Sequence, residues 1–357
     1  MKNILISTGG SGGHVVPAKI LREHLQSNFN IFISTDLRGL KYLDDKKNDI
    51  VMINTPKLNL NIFFIFKIFQ VIYLVIKTVL LLKKNKINIV FSTGGYMSLP
   101  VCLGAKLLGI KIYLLEPNIV LGRANRLFLG FCNKIFTYTR NLKNFPKKLK
   151  YKIQIISPLV KKSFYKKREI KTENKVFCLL VVGGSQGAKI FDNIVKNVII
   201  NLSKKNKIKI IQQTHKSNID NLKNIYDEAE IENIIFDFKE NFADLINQSD
   251  LCITRAGAST LAELLIMNKP FLTIPLVSAK DNHQFENANF YQNLGCCWIM
   301  NQKDFNEVNL EKFLNYIIVN KSEYNIKKNN LEKHNFQNSW NDVNQKILET
   351  INENRIS

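Results

Sequence analysis

The sequence has no Asp-x-Asp pair, no Cys-x-x-Cys, and only eight arginines among its 51 basic residues. The first absence removes the usual carboxylate clamp for a Mg²⁺–diphosphate complex. The six cysteines (Cys102, Cys132, Cys178, Cys252, Cys296 and Cys297) sit mostly in apolar runs, so they read as reduced core residues, neither a disulfide frame nor metal ligands. Scarce arginine weakens nucleic-acid readout, which favours the bidentate guanidinium, and no helix-turn-helix, RNP-like or zinc-finger spacing occurs. Nucleic acid is therefore not an expected partner. Acids are short in one half only: residues 1–160 hold 24 basic and 6 acidic side chains (+18), and residues 161–357 hold 27 and 23 (+4). A one-sided basic field attracts anionic lipid or phosphorylated small molecules. Met1-Lys2-Asn3 leads directly into apolar Ile4-Leu5-Ile6, so no signal peptide is expected before it.

What is present is ample apolar material. A chain of 357 residues, 45% of them hydrophobic, is long enough for two domains with separate cores. Strand-like Ile4-Leu5-Ile6-Ser7-Thr8 runs into Gly9-Gly10-Ser11-Gly12-Gly13-His14, then a helix from Val15 with Pro17 near its first turn. The pattern recurs at residues 176–182, Gly183-Gly184-Ser185-Gln186-Gly187-Ala188, and a helix from about Lys189. Glycine lets backbone N–H groups approach an anion at a helix N-terminus, and two copies opening two halves favour ligand binding over mere tight packing. Further strands are expected at residues 87–92, 111–115, 208–213, 234–238, 251–254 and 270–275. This α/β rhythm predicts two Rossmann-like domains whose parallel sheets face a central cleft. The expected division is 1–157 and 158–339, with a C-terminal helix at about 340–357 packing back on the first domain.

Residues 61–82 are apolar enough to suggest a membrane span, yet Lys67, Gln70 and Lys77 interrupt them within about 80° of one another on a helical wheel. Central lysines cost roughly 2.5–3.5 kcal/mol each on insertion scales, which disfavours a span. A core helix is one reading. The sharper one is a surface in which Phe63, Phe64, Ile65, Phe66 and Phe69, ringed by lysine, bind an anionic membrane.

Six motifs then occur in order: the first glycine loop through Pro17; Gly94-Gly95-Tyr96 with Pro100; Glu116-Pro117-Asn118; the second glycine loop; Arg255 to Glu263; and Asp281 to Ala288. Together they resemble the MurG family, the N-acetylglucosaminyltransferases of peptidoglycan synthesis. The resemblance implies a GT-B fold, UDP-N-acetylglucosamine as donor and lipid I as acceptor, converted to lipid II. It also implies metal-independent inversion without a cofactor, and peripheral attachment to the cytoplasmic face of the plasma membrane. By the same resemblance, Ser11, Gly12 and Gly13 adjoin the donor diphosphate and the acceptor, Asn118 contacts the sugar, and the loop of Ser185 binds the diphosphate. Lys239 is placed to read uracil through its backbone. Ala258, Ser259, Thr260, Leu261, Ala262 and Glu263 lie under the nucleotide, with Glu263 on the ribose hydroxyls, and Gln284 holds the sugar. Leu115, Val160 and His283 depart from the family's His, Arg and Gln, so Lys161 or Lys162 would have to supply the phosphate's positive charge.

Glycosyl transfer requires a base for the acceptor hydroxyl, and histidine titrates in the right range, which makes His14 the candidate; Glu116 is a rival or an orienting partner. Two other classes stay open. A nicotinamide dehydrogenase would need G-x-G-x-x-G, which neither loop reads, and an acidic ribose ligand, for which only Asp36 stands near. A membrane adaptor would need no pair of anion loops.

Overall fold

The computed structural model describes residues 1–43, 49–56, 64–166, 176–184, 189–335 and 338–353. Two compact units emerge: Met1–Lys162 with Ser339–Ser357, and Ser163–Asn338. The first unit thus extends beyond Ser157-Pro158 because Leu159 and Val160 are buried in it, and the Leu159 N–H donates to the Tyr138 hydroxyl at 3.0 Å.

The first unit is built on β1 (Lys2–Ser7), β2 (Phe29–Thr35), β3 (Ile50–Met52), β4 (Ile87–Ser92), β5 (Lys111–Glu116), β6 (Lys134–Thr137) and β7 (Ile153–Ile155). All pairings are parallel, in the order β3-β2-β1-β4-β5-β6-β7. The second unit carries β8 (Phe177–Val182), β9 (Ile208–Gln213), β10 (Glu232–Phe236), β11 (Leu251–Thr254), β12 (Phe271–Thr273) and β13 (Cys297–Ile299), ordered β10-β9-β8-β11-β12-β13. Both are doubly wound sheets. Strand order reverses between β1 and β4, and again between β8 and β11, where such folds open a crevice at the strand C-termini. Ile4, Leu5 and Ile6 are all fully buried, as a central parallel strand covered on both faces demands.

Several boundaries differ from the sequence reading, β12 among them, which spans only Phe271–Thr273 where the sequence predicts 270–275. β10 starts at Glu232 instead of 234, because Glu232 pairs across to Lys209 on β9 at 2.5 Å, and Phe238 lies outside it, exposed. The first helix begins at Gly12, not Val15, which leaves Pro17 inside the helix. Pro17 has no N–H for the carbonyl one turn back, and that single lost bond falls at Gly13.

The C-terminal helix Trp340–Glu353 buries Val343, Ile347 and Ile351 in the same core as β1 and the helix Gly12–Leu25. His24 stacks on Trp340 at 3.6 Å between centroids and 12° between planes. Burial pushes the His24 imidazole down to about 4, against a smaller upward pull from Asn344. The unfolded chain binds that proton below about 6.5, so stability should be level above this value and fall as pH drops toward about 4, by about 3 kcal/mol in all. Urea unfolding followed by Trp340 emission should show this slope in the wild type, and a flatter one in His24→Phe, which keeps a ring but cannot titrate.

Candidate active site

In the first unit the chain ends of β1 and β4 meet. The Thr93 N–H donates to the Ser7 carbonyl at 3.1 Å, and the Thr93 hydroxyl to the Thr8 hydroxyl at 2.8 Å. This brings the loop Gly9–His14 beside the turn Gly94-Gly95, whose residues have φ of +89° and +86°. Space is tight at both positions as well: a Cβ on Gly94 would lie 3.3 Å from His14 Cε1, and one on Gly95 3.3 Å from the Gly9 carbonyl. His14 Nδ1 lies 2.8 Å from the Thr93 carbonyl oxygen. A carbonyl only accepts, so Nδ1 carries the hydrogen, and the neutral ring holds its lone pair on Nε2. Ser11 caps the helix in extended conformation without a side-chain bond, leaving the first-turn N–H groups without a cap from it. Ser11 and Gly13 are exposed, Gly12 is buried and His14 is half-buried.

Two carboxylates anchor loops of this unit, Asp36 the first glycine loop and Glu116 the loop after β5. Asp36, after β2, accepts from the N–H groups of Gly10 and Gly39, both at 2.8 Å, and from Arg38 Nε and Nη2 at 3.0 and 2.8 Å. Burial works to raise its pKa, but the bonds from Gly10, Arg38 and Gly39 outweigh that and hold the carboxyl below its ordinary value. Glu116 closes β5 and is buried. Its Oε1 accepts from the N–H and Nδ2 of Asn118 at 3.3 and 3.1 Å, and its Oε2 from the Gly122 N–H at 2.8 Å and Asn125 Nδ2 at 3.0 Å. A Cβ on Gly122 would lie 2.8 Å from that oxygen.

In the second unit the candidate residues gather at the C-terminal ends of β8, β10, β11 and β12. Gly184 follows β8 with φ of +78°; Ser185 lies outside the described residues. Lys239, beyond β10, is exposed. After β11, Gly257 caps the helix Ala258–Ile266, on which Ala258, Ser259, Thr260 and Glu263 are half-buried. Leu261 and Ala262 are fully buried. Gln284 accepts the Leu276 N–H through Oε1 at 3.0 Å, which leaves its amide nitrogen as the donor end.

Residues 4–137 match the glycosyltransferase family 28 N-terminal domain, and residues 178–343 match that family's C-terminal domain. The UDP-N-acetylglucosamine–N-acetylmuramyl-(pentapeptide) pyrophosphoryl-undecaprenol N-acetylglucosamine transferase of Pelagibacter ubique is 49% identical over 354 residues, 99% of each chain. The enzyme of the same name from Rickettsia bellii is 33% identical over 93% of this chain and 96% of its own. The chain belongs to this transferase family. The crystal structure of Acinetobacter baumannii MurG shares the fold, with a TM-score of 0.80 at 23% identity over 99% of this chain and 100% of that one.

Against the family's motifs, the geometry changes how several residues read. Glu116 is not set up as a base: both of its oxygens are occupied by donors from its own loop, and it is the anchor of residues 118–125. Leu261 and Ala262 turn their side chains into the core, so only their backbone is left for a nucleotide. Val160 is likewise fully buried, and Lys162 borders a hollow beside Lys19, Arg22 and His24, on the far half of the first helix from its glycine loop. Four supporting residues were not legible as such. Asn125 ties Glu116 to the Leu115 carbonyl, and Asn287 holds the Ala256 carbonyl at 3.1 Å. Asp192, in the first turn after the second glycine loop, accepts from Gln212, Thr214 and Asn218 at the end of β9. Arg255 donates to the Ile274 carbonyl at 2.9 Å and packs over the Phe191 ring.

The helix Phe64–Lys84 completes the first unit. Phe63 lies outside the described residues, as does the side chain of Phe64. Val71, Thr78 and Leu82 are buried, and a Cβ on Gly104 of the helix Ser98–Leu107 would lie 3.3 Å from Thr78. The opposite face is apolar too: Ile65, Phe66, Phe69, Tyr73, Ile76 and Leu80 are exposed, Phe66 by 70%. By length and composition Ile65–Lys84 is long enough to cross a membrane. A crossing would have to strip the Val71–Thr78–Leu82 face from its protein contacts.

Proposed function

We propose that the chain transfers N-acetylglucosamine from UDP-N-acetylglucosamine to the muramyl sugar of lipid I, yielding lipid II and UDP. The observation that carries this reading is the 49% identity with the Pelagibacter transferase along 99% of both chains. His14 Nε2 takes the proton of the acceptor hydroxyl as its oxygen attacks the anomeric carbon from the face opposite the leaving group, so configuration inverts. The departing diphosphate is met by backbone N–H groups of the second glycine loop, including Ser185, and by the dipole of the helix Lys189–Ser203. Ser11, Gly12 and Gly13 line the acceptor side, with Asn118 held toward the sugar by Glu116. Glu263 takes the ribose hydroxyls, Gln284 donates to the sugar through its amide nitrogen, and the Lys239 backbone reads uracil. The enzyme works without a metal. It lies on the cytoplasmic face of the plasma membrane, with the exposed face of Phe64–Lys84 in the headgroup region and the basic residues of the first unit against anionic lipid.

Asp36 counts against the dehydrogenase reading, since its oxygens already serve Gly10, Gly39 and Arg38. Calorimetry tests donor choice. UDP-N-acetylglucosamine should bind and NAD(P) should not, and Glu263→Ala should weaken UDP binding by about 1–3 kcal/mol, the cost of hydroxyls left unpaired. Unchanged UDP affinity in that variant removes Glu263 from the site; NAD(P) binding overturns the donor assignment.

A further inference from the structure

We propose that Asp36 is a positioning residue of this transferase, fixing the first glycine loop and, through it, His14. The inference rests on the transferase reading above. An aspartate capping a short helix needs one acceptor bond, and Asp36 supplies it to Gly39 at the start of Leu37–Leu40. The same oxygen also takes the N–H of Gly10, 26 residues away, which capping does not require. Gly10 sits at φ +84°, a conformation open mainly to glycine, and this bond holds it there.

The two loops are pressed together with no room to spare. A Cβ on Gly9 would lie 2.7 Å from Asp36 Oδ1 and equally close to Met97 Cγ. One on Gly39 would meet the Thr35 hydroxyl and, at 2.8 Å, the Gly9 Cα. From Gly10 the constraint passes along the chain: the Ser11 N–H bonds to the Gly9 carbonyl, and the His14 N–H to the Ser11 carbonyl at 3.0 Å. His14 is thus tied at its backbone to a loop seated on Asp36, and at its ring to Thr93. The other carboxylate oxygen carries the Arg38 guanidinium, which is largely exposed and balances a charge that is nearly buried.

Two substitutions separate these duties. Asp36→Asn keeps an oxygen for Gly10 and Gly39 and presents N–H₂ to Arg38, so only the guanidinium is released. Asp36→Ala removes every bond. In a transfer assay Asp36→Ala should lose about 10- to 100-fold in kcat, the scale expected for a displaced reacting group, while UDP affinity stays within about twofold. Asp36→Asn should recover most of that loss. Hydrogen exchange gives a readout independent of activity: the Gly10 amide should exchange at least about tenfold faster in Asp36→Ala than in wild type, and near the wild-type rate in Asp36→Asn. A folded Asp36→Ala protein with wild-type kcat, unchanged Gly10 exchange in Asp36→Ala, or an Asp36→Asn protein as impaired as the alanine variant overturns the proposal. If the wild type itself transfers no sugar, the transferase reading fails, and the exchange rates still decide whether Asp36 holds the loop.

Discussion

Replacing His14 by alanine is expected to lower kcat by about 10²- to 10⁴-fold while UDP-N-acetylglucosamine still binds. The expectation comes from the ring's orientation. With Nδ1 donating to the Thr93 carbonyl at 2.8 Å, the tautomer is fixed and Nε2 is the only lone pair the ring can offer. The Gly94-Gly95 turn packs against the imidazole, where a Cβ on Gly94 would lie 3.3 Å from Cε1, and this contact helps hold the ring in place. Glu116 cannot take over, because four donors already fill its oxygens. The proposed contacts to uracil and ribose, through Lys239 and Glu263, lie in the other unit, so nucleotide binding should survive the change. His14→Gln should be as slow as His14→Ala: an amide can donate to Thr93 but cannot take a proton near neutral pH. A near-normal kcat in either variant would reassign the base.

The second large effect is expected at the membrane. Phe66→Ser, Phe69→Ser and Tyr73→Ser together should lower the salt-resistant part of liposome binding by about 10²- to 10⁴-fold, since burying each large side chain is worth about 1.5–3 kcal/mol and insertion is partial. Wild-type protein on anionic vesicles should lose part of its binding at high salt, because each lysine near the surface contributes about 1 kcal/mol that counterions screen. The hydrophobic remainder should persist in the wild type and vanish in the triple variant. Those three side chains are exposed, whereas Val71, Thr78 and Leu82 on the other face hold the helix to its unit, so the fold should tolerate the change. Circular dichroism and UDP affinity serve as controls. A folded triple variant that binds vesicles like wild type places the membrane contact elsewhere.

The sequence made most central strands readable, though β2, seven residues beside β1, goes unread because Asn30 and Ser34 interrupt its apolar run. β1, β4, β8 and β11 carry apolar runs buried on both faces, and each stood out against its polar flanks. β3, β7 and β13 have three residues apiece, too few to establish a period of two, and they pass for loop. Around the candidate site the glycines were legible, because a Gly-rich turn after a strand has few other uses. Their supports were not. Thr93 serves His14 through a backbone carbonyl, which any residue supplies, and Asp36 reaches Gly10 across 26 residues. Glu116 looked like possible chemistry because a buried, saturated carboxylate and a free one are spelled alike. The start of the first helix was missed for a related reason: Gly12 and Gly13 have poor helix propensity, yet the first turn needs little of it when its N–H groups have no intrahelical partners.

Transfer itself is the most direct test. The protein should be incubated with UDP-N-acetylglucosamine and a short-chain lipid I analogue, without added metal, and the lipid followed by mass spectrometry. The acceptor should gain the mass of a single N-acetylhexosamine as UDP is released in equal amount. An acceptor that stays unchanged while the same preparation binds UDP-N-acetylglucosamine by calorimetry would contradict the transferase reading.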